Sequence, residues 1–238
     1  MKKLLILIIE IFIINYTFAQ VDHSNWDKLL QKHVTPSGIV NYKGFIKDKA
    51  SLEKYLEILQ LNPPSSNWYD HDIKAYWINA YNAFTIQLII DNYPVESIMD
   101  LKFGNTSAWD YKWIKIGNET ITLNQIEHNR LLNVFKDPRI HFAVNCASFS
   151  CPILSNEAYK GAELEKQLNR ATINFINDKK RNEIQVNSIK ISQLFEWYKK
   201  DFIKEGSVID YLNKYSKTKI ASDATISYLN YNWKLNNK

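Results

Sequence analysis

The segment from Asp72 to about Asn92 reads as the most apolar helix of the chain, with Tyr93-Pro94 as its stop. A helix with so little polar surface has to be covered by other parts of the chain, so it constrains the fold more than any other segment. Asn79 and Asn82 interrupt it within Ala75-Tyr76-Trp77-Ile78-Asn79-Ala80-Tyr81-Asn82-Ala83-Phe84, and their spacing of three puts them on one face. A buried carboxamide without partners costs about 1–3 kcal/mol. Two roles therefore fit: bracing neighbouring backbone, or orienting a cysteine-bearing loop or a substrate.

The cysteines lie in Asp137-Pro138-Arg139-Ile140-His141-Phe142-Ala143-Val144-Asn145-Cys146-Ala147-Ser148-Phe149-Ser150-Cys151-Pro152, which holds both of them and one of the five histidines. Asp-Pro signals a turn. Ile140, Phe142 and Val144 then alternate with His141, Ala143 and Asn145, the period of two that predicts a short buried strand from Ile140 to Val144. His141 and Asn145 would share one face of that strand, with Cys146 starting on the other. A strand that delivers reactive side chains onto a loop of small polar residues is a common way to build a site.

Around these two stretches, Trp26, Leu29, Leu30 and Val34 suggest a first helix, ended by Thr35-Pro36-Ser37-Gly38. Ser51 reads as the cap of a second, with Leu52, Tyr55, Leu56 and Leu59 on one face. Trp113 to Leu123 reads as a hairpin, and Thr122 with Gln125 as a capping box opening a helix from Leu123 to Phe135 that carries Glu127 and His128. His128 lies on the face of Leu131, Leu132 and Phe135 and is expected to point inward. A long helix is expected from Ser155-Asn156-Glu157 to about Asn177. A hairpin about Asn187-Ser188, a helix from Ser192 and a short helix from Ser207 to Tyr215 follow. The tail Ile226 to Trp233 is too aromatic to float free. Helices outnumber strands, and apart from the central buried strand the strands come as hairpins, so the expected class is α+β, a mostly helical single domain.

Hydrophobic residues make up 45% of the chain and charged residues 23%, a globular composition, and 7 Trp, 14 Tyr and 11 Phe imply an aromatic-heavy core with room for a groove. Net charge is +5, but acids and bases are interspersed and no basic run carries interleaved aromatics, so nucleic acid is not an expected partner. Lys2-Lys3 followed by an apolar stretch from Leu4 to Phe18, with Thr17-Phe18-Ala19 before Gln20, predicts a signal peptide over residues 1–19. The stretch is short of the roughly 20 apolar residues of a membrane span. No cysteine lies near the cleavage site, which argues against a lipoprotein. The expected mature protein, residues 20–238, is periplasmic or secreted, with a helical N-terminal part over 20–66 and a core over 67–238. Its contact with the membrane is limited to export.

Three chemistries suit the polar residues. Cys146 or Cys151 could be a nucleophile with His128 or His141 as base and Glu127, Asn79 or Asn82 behind it, the backbone amides from Ala147 to Cys151 supplying an oxyanion site. The two cysteines could instead form a disulfide in a binding module. They could also bind zinc with His128 and His141, although no familiar ligand spacing is present and neither metal nor cofactor is expected. No phosphate-binding loop, nucleotide fingerprint, GxSxG or HExxH motif occurs. His23, His33 and His71 sit in polar surroundings and read as surface residues.

The ordered set Ala75 to Ala83, Leu123 to His128, Asp137 to Phe142 and Asn145 to Pro152 resembles the domain of unknown function family numbered 547. Ala158-Tyr159, Leu194 to Phe202 and Tyr231-Asn232-Trp233 continue the resemblance, which runs from about residue 68 to the end. It implies that Trp77, Asn79, Asn82, Glu127, His128, His141, Cys146 and Cys151 belong to one constellation, but it carries no established activity. The resulting expectation is a thiol-dependent hydrolase or acyl transferase acting on a small molecule or peptide. Cys146 would be the nucleophile, His128 or His141 the base, Glu127 or Asn79 the orienter, with Asn82, Trp77, Asn145 and Cys151 as supporting residues. The alternative is a non-catalytic binding or scaffold domain with a structural cysteine pair.

Overall fold

A computed structural model describes residues 21–237, so the expected signal peptide lies outside the described residues. Helix α1 (Ser24–His33), α2 (Tyr42–Lys47) and α3 (Lys49–Leu61) form a cap over α4 (Asp70–Asp91), the long apolar helix. Every residue of α4 from Ala75 to Ile90 is buried, and Asp70 and Asp72 in its first turn complement the helix dipole. Trp26 stacks on Tyr55 with ring centroids 5.7 Å apart, which locks α1 onto α3. Among the described residues no helix is long and apolar enough to cross a membrane.

Small antiparallel pairs follow: β1 (Lys102–Phe103) with β2 (Thr106–Ser107), and β3 (Ile114–Ile116) with β4 (Glu119–Ile121). Thr122 and Gln125 form the expected capping box, each side chain bonding the other's backbone N–H at 3.0 Å. The helix they open runs to Phe135, but from Gln125 to Leu132 it is wound as a π-helix, with Asn133 N–H bonded to His128 C=O, before closing in α5 (Asn133–Phe135). Residues 153–160 are irregular, and α6 (Leu164–Ile176) starts later than the pattern suggested. The last sheet pairs β5 (Glu183–Ile184) antiparallel with β6 (Ser188–Ile191), which pairs in parallel with β7 (Thr225–Tyr228). Between β6 and β7 lie α7 (Leu194–Trp197), α8 (Lys199–Phe202) and α9 (Val208–Asn213). The class is α+β, as expected.

One element differs in kind. The expected strand from Ile140 to Val144 is a 3-10 helix, Pro138–Phe142. Asp137 Oδ1 caps it by accepting from Arg139 N at 3.0 Å, and Ala143 N and Val144 N both donate back to Ile140 O, at 2.9 and 3.2 Å. The alternation misled because no face of this segment meets solvent: all six residues from Ile140 to Asn145 are buried. Two hydrophobic clusters explain this. Ile140, Ala143 and Val144 pack into the larger one, built on α1 to α4, whereas Phe142 packs into the smaller one with Phe175, Phe195 and Phe202. The segment is the seam between them, and a tight helical turn exposes both sides to apolar neighbours.

Asn79 serves the same seam. Its Nδ2 donates to Tyr159 O at 2.8 Å and its Oδ1 accepts from Tyr159 N at 3.0 Å, pinning the irregular 153–160 stretch to α4. Asn79→Ala would leave both backbone groups unpaired in the interior. Urea denaturation should show a loss of about 2–4 kcal/mol, and a loss within 0.5 kcal/mol of zero (roughly the surface-substitution range) would contradict this bracing role.

Candidate functional site

The loop from Asn145 to Pro152 is held by side-chain amides rather than by a sheet. Asn82 bonds backbone at two points at its entrance: Nδ2 donates to Ala143 O at 3.0 Å, and Oδ1 accepts from Asn145 N at 2.8 Å. Asn145 then closes the loop from within, its Nδ2 donating to Pro152 O at 2.7 Å and its Oδ1 accepting from Ala147 N at 2.9 Å and Asn236 Nδ2 at 3.2 Å. On the outside, Arg181 Nε donates to Cys151 O at 2.8 Å and Nη2 to Phe149 O at 2.9 Å, while its remaining arm pairs with Asp178. The C-terminal tail runs along the loop, with Phe149 N bonded to Lys234 O (2.7 Å), Ser150 N to Asn232 O (3.2 Å) and Asn236 N to Ala147 O (3.0 Å). Ala147 is thereby held at φ +62°, a left-handed conformation that costs a non-glycine residue roughly 1–2 kcal/mol. Such strain persists only where surrounding bonds over-determine the backbone.

This geometry sets the state of the two sulfurs, which are free thiols. Cys146 Sγ lies 3.2 Å from Ser148 Oγ and 3.5 Å from Tyr231 OH, and Cys146 N donates to Cys151 Sγ at 3.0 Å. Hydrogen bonding from the Cys151 thiol, then from the Ser148 and Tyr231 hydroxyls, outweighs burial and brings Cys146 down to about 7. Burial keeps Cys151 protonated, well above the usual range for a thiol. The two sulfurs are thereby driven in opposite directions, Cys146 toward the thiolate and Cys151 toward the thiol.

Both cysteines open into a cavity of about 370 Å³ at the seam of the two clusters. His141 lines it, with Nε2 2.9 Å from Asp201 Oδ2 and its ring 4.2 Å from that of Tyr198 and 5.4 Å from that of Phe202. The hydrogen bond from His141, with Lys204 beside it, holds the Asp201 carboxyl below its usual range. Glu127 is also on the wall and accepts from Tyr198 OH at 3.2 Å. Tyr81, Trp109, Trp197, Tyr198, Tyr231 and Trp233 supply the aromatic surface.

Of the residues expected from sequence, Cys146, Cys151, His141 and Glu127 meet on this cavity, and Asn82 and Asn145 lie behind the loop that carries the cysteines. Asn79 pins Tyr159, and Trp77 packs against Tyr76 under the Arg130 guanidinium, both outside the lining. His128 is half-buried, 6.3 Å from the Tyr198 ring and also outside the lining. The π-helical winding turns Glu127 inward in its place. His33, expected at the surface, is buried against Asp48 at 2.6 Å, and His23 is half-buried against Tyr55, where burial lowers it to about 4; His71 alone of the three is exposed. Among the described residues no group of three or more His, Cys, Asp and Glu side chains is arranged to hold a metal ion, so the four-residue zinc set has no common centre. Sequence reasoning assigned no role to Tyr81, Ser148, Tyr198, Asp201 or Tyr231. The density of aromatics in Trp197-Tyr198 and in Tyr231-Asn232-Trp233 was the available signal for part of this set.

Native-state alkylation should label Cys146 well before Cys151. Its rate should rise with pH through a midpoint near 7, because the reactive thiolate forms as pH passes the Cys146 value. Tyr231→Phe removes a donor to that thiolate and should move the midpoint upward by about one unit, as the loss of one hydrogen bond to a charged group implies. A midpoint above 8 in the unmodified chain (roughly that of an unperturbed cysteine) would contradict the arrangement.

No curated protein and no solved structure matches the chain. Residues 65–176 match the family model described as "Protein of unknown function, DUF547", a span that contains α4, Glu127, His141 and the cysteine loop and ends before the aromatic tail. Over that span, a little under half of its length, the chain is DUF547-like.

Proposed function

We propose that the protein is an exported thiol-dependent hydrolase or acyl transferase in which Cys146 is the nucleophile and His141, held by Asp201, is the proton carrier. One observation carries the reading: a cysteine favoured as its thiolate near neutral pH shares a cavity with the buried His141, whose far ring nitrogen is held by the partly exposed Asp201. In this scheme the Cys146 thiolate attacks a carbonyl carbon and the displaced electron pair moves to the carbonyl oxygen. Tyr231 OH and Ser148 Oγ, already beside the sulfur, are the nearest hydroxyl donors for the charge that leaves it. The tetrahedral adduct collapses to a thioester as the leaving group takes a proton from the His141 imidazolium. A water or amine, deprotonated by His141, then releases the acyl group and restores the thiolate. With Nε2–H donated to Asp201, Nδ1 is the basic nitrogen of the ring. Export rests on the Lys2-Lys3 and apolar N-terminal pattern with Ala19 at the expected cleavage point.

A second reading, a binding module, draws on a different observation: among the described residues no hydrogen bond joins Cys146 to a histidine. Catalytic bonds often tighten only when substrate binds, so this favours neither reading by itself.

An activated ester separates them. With p-nitrophenyl acetate, the unmodified chain should gain one acetyl group on Cys146 and turn over, and Cys146→Ala should do neither. Asp201→Asn should slow turnover by about 10²–10⁴-fold, the range for a general acid–base group. An unacetylated Cys146 after exposure to this ester and to a thioester would leave the binding reading in its place.

A further inference from the structure

The charges around the cavity differ from those of the chain as a whole. The chain carries 30 Lys and Arg and a net charge of +5, but among the described residues no Lys or Arg lines this cavity. Two carboxylates do, Asp110 and Glu127. Asp110 is hydrogen-bonded by neutral groups, Ser107 Oγ at 2.7 Å and Asn124 Nδ2 at 2.6 Å, and Glu127 by Tyr198 OH at 3.2 Å. Neither belongs to any of the ion pairs among the described residues, whereas Asp48, Asp91, Asp137 and Asp201 all do. His141, the one lining side chain that can carry positive charge, is already paired with Asp201, so Asp110 and Glu127 leave the cavity with negative charge that no other lining residue offsets.

The rim offers the second half of a cation site. Trp233 lies at the centre of an aromatic group, stacked on Trp197 at 5.9 Å and set edge-on to Trp109 at 5.8 Å, and Trp197 is 47% exposed. Aromatic faces alone would accept a sugar ring or an alkyl group as well as a cation. Uncompensated carboxylates beside them favour the cation and repel an anion.

We propose that the cavity selects a substrate bearing an alkylammonium group, of the kind carried by lysine side chains and polyamines, with the cation on the Trp109–Trp197–Trp233 faces beside Asp110 and Glu127. The chemistry at Cys146 rests on the acyl-transfer reading above; the recognition argument does not.

Tryptophan fluorescence of the chain, titrated with choline, with its uncharged tert-butyl isostere and with the matching tert-butyl carboxylate, tests the selection directly. Choline should bind about 3- to 30-fold tighter than the isostere, the range expected of a cation–π contact, and the carboxylate weakest. Asp110→Asn should narrow that preference, and added salt should narrow it further. Equal or tighter binding of the isostere would overturn the inference. Rates of Cys146 modification by cationic and anionic methanethiosulfonates, each divided by its rate with a free cysteine amide, provide the second arm. A higher relative rate for the cationic reagent supports the inference; a ratio at or below one contradicts it. A Cys146 inert to both reagents would remove the acyl-transfer reading while the fluorescence series still decides the cation preference. A reactive Cys146 with no cation preference would remove this inference alone.

Discussion

The side-chain amide of Asn145 is the bond on which the site's geometry depends. It joins the exit of the cysteine loop at Pro152, the strained residue Ala147 and the C-terminal tail at Asn236, all in the interior. The loop has no sheet to hold it, so these bonds substitute for ladder hydrogen bonds, and Asn82 and Arg181 repeat the device from either side. Every partner of Asn82 and Asn145 is a backbone group or another amide in a buried setting, where an unmade bond costs about 1–3 kcal/mol. The loop is thus held in one shape by many modest bonds, each costly to lose.

That shape has an electrostatic consequence. Holding Ala147 left-handed directs Cys146 N toward the Cys151 sulfur and leaves the Cys146 sulfur beside Ser148 and Tyr231. A thiol surrounded only by apolar side chains would be pushed toward its neutral form, as Cys151 is. Cys151 accepts the Cys146 N–H, which its burial outweighs, whereas the Ser148 and Tyr231 hydroxyls beside Cys146 help to separate the pair. The same loop lies where the two hydrophobic clusters meet, so the cavity in front of it draws one wall from α4 and the other from α7 and the tail.

Helices α1, α3 and α4, the β3–β4 hairpin, the Thr122–Gln125 box and the packed aromatic tail were legible because each rests on local periodicity or on a cap of adjacent residues. The 140–144 segment was not, because alternation marks a strand only when one face meets water, and here a second cluster covers the face that would have been wet. His128 was placed inward on a 3.6-residue period that the π-helix does not keep. In the site, Cys146, His141 and Glu127 stood out as chemically distinctive residue types. Asp201 and Tyr231 did not, because Asp201 sits among charged residues 60 positions from His141 and Tyr231 lies 85 positions from Cys146. Only the packing of the second cluster brings them back.

The central claim is that the folded loop favours the thiolate at Cys146 and the thiol at Cys151. The most direct measurement is the thiolate absorbance near 240 nm followed through a pH titration of the wild type, Cys146→Ser and Cys151→Ala, each with its free-thiol count. The account predicts a midpoint near 7 in the wild type that Cys146→Ser abolishes and Cys151→Ala moves upward. A midpoint that survives Cys146→Ser, or a folded protein with no free thiol because the two sulfurs are bridged, would contradict it.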